Sequence, residues 1–296
     1  MLTRNQFNVL ECIASSDKKL SQRNIASYLD MSVGTINKIL AELIELGFVD
    51  NNEITKAGYD ALEPFRVKRA VLLSAGLGAR LIPITLNTPK PMVTVKGKRL
   101  IETVLDALIE KGITEIYIVR GYLASQFDEL LVKYPTIKFI ENKEYNEANN
   151  ILSVAKAKDY LAGSYILETD WLLYNKDIIR KYQYSSNYMG IPVKATNDWC
   201  LYTTSNKIIT KVAIGGENCY RMVGFSYWTE EDGKKLARDV IDVINSPGGR
   251  ERYWDQVPLE FCKDNYKLSL RPCMEEDLIE IDTFNELKSL DPSYDI

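Results

Sequence analysis

Apolar side chains in the first 63 residues recur at helical spacing. Phe7, Leu10, Ile13 and Ala14 mark one short amphipathic helix, and Ile25, Ala26 and Leu29 mark a second. After Asp30-Met31-Ser32, the series Ile36, Ile39, Leu40, Leu43 and Ile44 runs at i, i+3, i+4, i+7 and i+8. That is the stripe of a helix with one buried face. Ser32 is a natural N-cap because its hydroxyl can accept from a free first-turn amide, and Gly47 is a natural stop. Phe48-Val49 and Glu53-Ile54 flank Asp50-Asn51-Asn52 and predict a small hairpin, with a further helix from Thr55.

From Ala70 the pattern changes to apolar runs separated by helical stretches. Ala70–Ala75, Glu115–Val119 and Ile137–Glu141 read as strands, and Tyr165–Leu167 runs apolar into Glu168-Thr169-Asp170. Leu100–Lys111 reads as a helix with its stripe at Leu100, Val104, Leu105 and Leu108. Strands spaced by helices predict an α/β fold with a Rossmann-like, mostly parallel sheet covered on both faces. Ligands in such sheets bind at the carboxyl ends of the strands. The basic joint Pro64–Arg69 divides a small helical domain, residues 1–65, from an α/β domain, residues 66–296.

Composition removes several chemistries. The 296 residues include no histidine, which excludes His-ligated zinc, a Ser-His-Asp triad and any imidazole base. Carboxylates, lysine, arginine, backbone amides or an oxygen-ligated metal must then carry any reaction. Five scattered cysteines without a CxxC pair fit reduced thiols. The polar N-terminus and the lack of a long apolar run predict a cytoplasmic protein with no membrane segment.

The order helix, helix, turn, helix, hairpin, helix in residues 1–62 resembles a winged helix-turn-helix. The resemblance implies DNA binding through the N-terminal domain, with Thr35, Asn37 and Lys38 near the start of the recognition helix. Residues 1–65 hold six Lys/Arg against nine Asp/Glu, however, and phosphate neutralisation dominates DNA affinity. An acidic module needs a homodimer to gather enough contacts, or else serves as a dimerisation or protein-contact surface.

The most informative stretch is VLLSAGLGARLIPITLNTPKPM, Val71–Met92. An apolar strand ends near Ser74, and Ala75-Gly76-Leu77-Gly78 follows. Glycines there let backbone amides approach a phosphate. The third position of the dinucleotide fingerprint holds Leu81, and no Walker Gly-Lys-Ser/Thr follows. Arg80 and the lysine framed by Pro89-Lys90-Pro91 come next. The series Gly76, Gly78, Arg80, Pro83, Thr85, Pro89 and Lys90 resembles the signature of nucleotidyltransferases that activate sugar phosphates and phosphocholine. The resemblance covers about residues 68–290. It implies that Ala75, Gly76, Gly78, Arg80 and Lys90 hold the nucleoside triphosphate, with Asn150 and Ser153 from the Tyr145–Ser153 stretch. Arg80 and Lys90 are the implied catalytic cations. It also implies Mg²⁺ on Asp170, after a central strand, and Asp282, after Leu278–Ile281, with Glu168 and Glu280 as substitutes if the register slips by two.

Within that family, Asn197-Asp198-Trp199, Gly224–Trp228 and Tyr253-Trp254-Asp255 look most like bacterial choline-phosphate cytidylyltransferases. The implied reaction joins CTP and phosphocholine to give CDP-choline and pyrophosphate. Trp199, Tyr253 and Trp254 would cage the trimethylammonium, and Asp255 would add charge. The alternatives are 2-aminoethylphosphonate, phosphoethanolamine or a sugar 1-phosphate as acceptor, or a DNA-binding regulator whose transferase domain senses the metabolite. Trp171, directly after the metal aspartate, departs from the family pattern.

Overall fold

The structure is a computed structural model that describes residues 1–16 and 18–295. It contains two compact units. The first comprises Met1–Arg66 with Tyr182–Tyr184. Its helices are Arg4–Ala14, Gln22–Leu29, Val33–Glu45 and Lys56–Leu62. Short side chains close the N-termini: Thr3 and Ser21 form capping boxes with Gln6 and Asn24, and the Ser32 hydroxyl accepts from the Thr35 amide at 3.1 Å. Each such cap is worth about 1 kcal/mol. At Gly47, φ is +72°, and the Phe48 amide reaches back to the Leu43 carbonyl at 2.9 Å, which ends the third helix.

The hairpin pairs Val49–Asp50 with Glu53–Ile54 across Asn51 and Asn52, both left-handed at φ +49° and +60°. Asparagine tolerates that region, which suits a two-residue hairpin turn. Phe7, Leu10, Ile13, Ile25, Ile36, Ile39, Leu40 and Leu43 form the core. Tyr184 packs on Phe7 and Phe65, with centroids at 5.3 Å in each case. Ile44, expected on the buried stripe, is instead 50% exposed. At 100° per residue it lies about 80° around the helix from Ile36, at the edge of the stripe.

The second unit, Val67–Lys181 with Ser185–Ile296, is built on a seven-stranded sheet. Its order is Ser269–Pro272, Asn187–Thr203, Ile209–Trp228, Ser164–Glu168, Arg69–Ser74, Glu115–Arg120 and Lys138–Glu141. Arg69–Ser74 lies parallel to both its neighbours, and the antiparallel contacts are those made by Ile209–Trp228. Apolar clusters cover both faces. One contains Ile101, Val104, Leu105 and Leu108 of the helix Leu100–Glu110, and the other contains Leu236 and Val240 of the helix Glu230–Ile244.

Two features depart from the expected plan. The long ribbon Asn187–Thr203 with Ile209–Trp228 is legible in the sequence only as aromatic fragments. Moreover, Leu278–Glu280 lies outside the large sheet and pairs antiparallel with Trp171–Leu173. No helix among the described residues is long and apolar enough to cross a membrane.

Candidate active site

Arg69–Ser74 delivers the chain to the carboxyl edge of the sheet, where Ala75–Gly78 turns away from it. Gly78 has φ +64°, and a Cβ there would come within 2.9 Å of the Lys90 Cβ, so both conformation and space demand glycine. A Cβ at Gly76 would meet nothing within 4 Å. That glycine opens the turn to an incoming group. The Thr85 hydroxyl donates to the Gly78 carbonyl at 2.9 Å and ties the turn to the segment leading to Lys90.

A cavity of about 310 Å³ begins at this turn. Ala75, Gly76, Gly78, Arg80, Lys90, Asn150, Ser153 and Asp170 all line it. Asn142 and Tyr145, to which no contact was assigned, and Glu168, the alternative metal ligand, line it as well. Ser153 is buried and its hydroxyl accepts from the Asn142 side-chain Nδ2 at 3.1 Å, so it also holds the wall together.

Asp170 and Asp282 converge because their strands pair. Glu280 stands opposite Trp171, and the Ile281 amide donates to the Asp170 carbonyl at 3.0 Å. Carboxylate oxygens of Asp170, Glu280 and Asp282 lie within 4.8 Å of one another. The Lys90 ammonium bridges two of them, at 3.1 Å from Asp170 and 2.8 Å from Asp282. Arg80 donates to the same Asp282 oxygen at 2.9 Å while remaining 69% exposed on its side chain. Burial acts to lower the Lys90 pKa, but the charges of Asp170 and Asp282 outweigh it and the net shift is upward.

Negative charge is in excess here. Burial, reinforced by Asp170 and Asp282, raises Glu280 to about 8. Burial also pushes Glu168 well above the usual carboxylate range, with Asp170 and Asp255 adding to the effect. One oxygen of Asp170, Oδ1, is buried with no hydrogen-bond partner among the described residues. An orphaned oxygen within a cluster of hard donors fits a divalent cation such as Mg²⁺. The residues that could hold such a cation are Asp170, Asp282 and Glu280, one more than the expected pair.

The acceptor candidates separate. Trp199, half-buried on the ribbon, meets Tyr253 edge to face at 5.9 Å, and Tyr253 is 47% exposed. These two form an open aromatic corner. Trp254 does not join them. Its indole is buried against Tyr188 and Trp228, with centroids at 5.9 and 6.1 Å. The chain turns inward after Tyr253, so that Trp254 enters the core while Tyr253 stays at the surface. Asp255 is also buried, and burial pushes its carboxyl up to about 7. Gly224 has a structural use that its motif did not reveal. A Cβ there would fall 2.2 Å from a Glu168 oxygen, so the glycine makes room for that side chain.

Comparison with known proteins places this geometry in context. A nucleotidyl transferase family model matches residues 69–197, and a MarR family model matches residues 2–53. The 2-aminoethylphosphonate cytidylyltransferase of Lancefieldella rimae is 36% identical over 228 residues, 76% of this chain and 92% of that one. The choline-phosphate cytidylyltransferase of Streptococcus pneumoniae is 33% identical over 75% of this chain and 96% of its own. A solved structure of CTP:phosphocholine cytidylyltransferase from Streptococcus pneumoniae superimposes with a TM-score of 0.71 at 31% identity. It covers 77% of this chain and 99% of that one.

Proposed function

The chain belongs to the nucleotidyl transferase family, among its cytidylyltransferases, and we propose that it transfers CMP from CTP to phosphocholine, forming CDP-choline and pyrophosphate. The observation that carries the choice of acceptor is the open corner of Trp199 and Tyr253. A quaternary ammonium has no N–H to donate and is held best by aromatic faces, each worth about 0.5–2 kcal/mol.

In this reading the amides of the Ala75–Gly78 turn, with Arg80 and Lys90, hold the triphosphate and neutralise the departing pyrophosphate. Both cations now rest on Asp282, and Lys90 also on Asp170, so nucleotide binding exchanges carboxylate partners for phosphate ones. Asp170, Asp282 and Glu280 would hold Mg²⁺, which supplies electrostatic stabilisation of charge developing on phosphate oxygens. The aromatic corner orients the acceptor for in-line attack on the α-phosphorus. A phosphomonoester has its second pKa near ~6, so the nucleophile is already largely deprotonated at neutral pH. No imidazole is needed, which suits a chain without histidine. Rate enhancement then rests on positioning and charge stabilisation.

The deciding experiment is pyrophosphate release measured across CTP and UTP and across phosphocholine, 2-aminoethylphosphonate and a sugar 1-phosphate. Turnover confined to CTP with phosphocholine is expected. A clear preference for 2-aminoethylphosphonate would transfer the assignment to the second reading, which the 36% identity to the Lancefieldella rimae enzyme favours. In the Trp199→Ala variant, the KM for phosphocholine should rise about tenfold and that for CTP should stay within about twofold, the difference one cation–π contact makes. Equal rises in both would remove Trp199 from the acceptor site.

For the N-terminal unit we propose DNA binding through the start of the helix Val33–Glu45, where Thr35, Asn37 and Lys38 are exposed. The MarR family match supports this reading. The hairpin tip, with Asp50 and Glu53 exposed, repels phosphate, so binding should be weak and salt-sensitive. Fluorescence anisotropy with DNA from upstream of the gene should show affinity falling as salt rises. Lys38→Ala should flatten the log–log slope by about one. Absence of binding at low salt would leave this unit an assembly module.

A further inference from the structure

Family resemblance puts Asn150 among the nucleotide contacts, yet both ends of its carboxamide are already engaged elsewhere. Its Oδ1 accepts from the Trp254 amide at 2.9 Å, and its Nδ2 donates to Glu168 Oε1 at 3.4 Å. The orientation follows from chemistry, since a backbone N–H can face only the carbonyl end. Asn149 acts alongside. Its amide donates to the Arg250 carbonyl at 2.8 Å, and its side chain donates to the Glu251 carbonyl at 3.3 Å. Arg250 in turn pairs with Glu144 at 3.0 Å. The wall of the nucleotide cavity and the segment leading to Tyr253 are therefore laced together on consecutive residues.

We propose that Asn150 is a positioning residue for the acceptor: it clasps the Tyr253–Asp255 segment to the end of the strand Ser164–Glu168 and so sets Tyr253 against Trp199. The inference rests on the reading that those two aromatics receive the acceptor. Trp254 supplies the anchor, because its buried indole fixes the depth of the segment while Asn150 fixes its backbone. Gly224 supplies the other end, because only without a Cβ there can Glu168 occupy the place from which it accepts. Released from Asn150, the backbone at Trp254 can drift, and Tyr253 next to it loses its register with Trp199. A shift of this size at a substrate-holding side chain is felt mainly by the substrate it holds.

Steady-state kinetics of Asn150→Ala test this, using whichever of phosphocholine and 2-aminoethylphosphonate the unaltered enzyme turns over faster. The acceptor KM should rise about tenfold while the CTP KM stays within about twofold. Asn149→Ala should move the acceptor KM in the same direction by about threefold. Hydrogen exchange gives a readout independent of any acceptor. Peptides covering residues 249–256 should exchange faster in Asn150→Ala, and those covering residues 164–168 should not. A CTP KM that climbs in step with the acceptor KM would overturn the proposal and return Asn150 to the nucleotide. Unchanged KM values with a lowered melting temperature would overturn it in favour of a purely structural role. Because the exchange experiment uses no acceptor, a failure of the phosphocholine assignment leaves this test readable.

Discussion

Asp170→Asn is expected to lower kcat by about a thousandfold while leaving the fold intact, a loss typical of removing a principal charge-stabilising group. Asparagine is isosteric, so the pairing of Trp171–Leu173 with Leu278–Glu280 that positions the residue is preserved. What changes is charge and chemistry. Oδ1, the buried oxygen with no partner among the described residues, is the atom best placed to take a cation, and Oδ2 receives Lys90 at 3.1 Å. An amide nitrogen in either place turns an acceptor into a donor, facing a cation or an ammonium. Pyrophosphate release at saturating CTP and acceptor measures the effect, and circular dichroism melting checks the fold. Lys90 retains Asp282 at 2.8 Å, so the melting temperature should fall only a few degrees. Activity within tenfold of the unaltered enzyme would remove Asp170 from the centre of the site. Chelation of divalent ions should abolish turnover by the unaltered protein, and added Mg²⁺ should restore it.

Lys90→Met carries the second large effect. Methionine keeps most of the buried apolar stem that lies beside Gly78, so the substitution removes mainly the charge. We expect kcat/KM for CTP to drop about a hundredfold or more, as for loss of a phosphate clamp, with the acceptor KM little altered. The contrast with Trp199→Ala is the useful part: one variant fails on the nucleotide, the other on the acceptor. Arg80 cannot substitute, since it approaches Asp282 from an exposed position, whereas Lys90 bridges Asp170 and Asp282 from a buried one. Lys90→Arg should not restore activity either, because the bulkier guanidinium must fit where the side chain is 10% exposed and the ammonium already sits between Asp170 and Asp282. A Lys90→Met enzyme with normal CTP kinetics would show that the lysine serves only to neutralise Asp170 and Asp282.

Much of this molecule could be read before its fold was known, for a local reason. Ser32, Gly47 and the spacing of Ile36, Ile39, Leu40 and Leu43 act on residues within one or two turns, so the third helix and its ends follow from neighbours alone. The strand before Ser74 and the turn Ala75–Gly78 are equally local, and the seven-position series through Lys90 pointed to a nucleotidyltransferase fold. Other features depended on partners distant in the chain. Nothing near Ile281 says that it pairs with the Trp171 strand, yet that register brings Asp282 to Asp170 and adds Glu280 to the cluster. Tyr253 and Trp254 are adjacent aromatics with the same propensity; one is open to solvent and the other sits in the core. Asn150 lines the cavity with the glycine turn, yet its bond to the Trp254 amide, from a loop more than a hundred residues onward, has no local signature.

The sequence by itself determined the two kinds of fold, the glycine turn after the strand that ends at Ser74, the place of Arg80 and Lys90 beyond it, and an imidazole-free chemistry. Those depend on backbone propensity, hydrophobic period and residue type, which act over a few bonds. Only the tertiary structure decided which carboxylates meet, which aromatics stay open and what Asn150 holds. Strand register and burial are fixed by contacts between distant segments, and no short window of residues contains them.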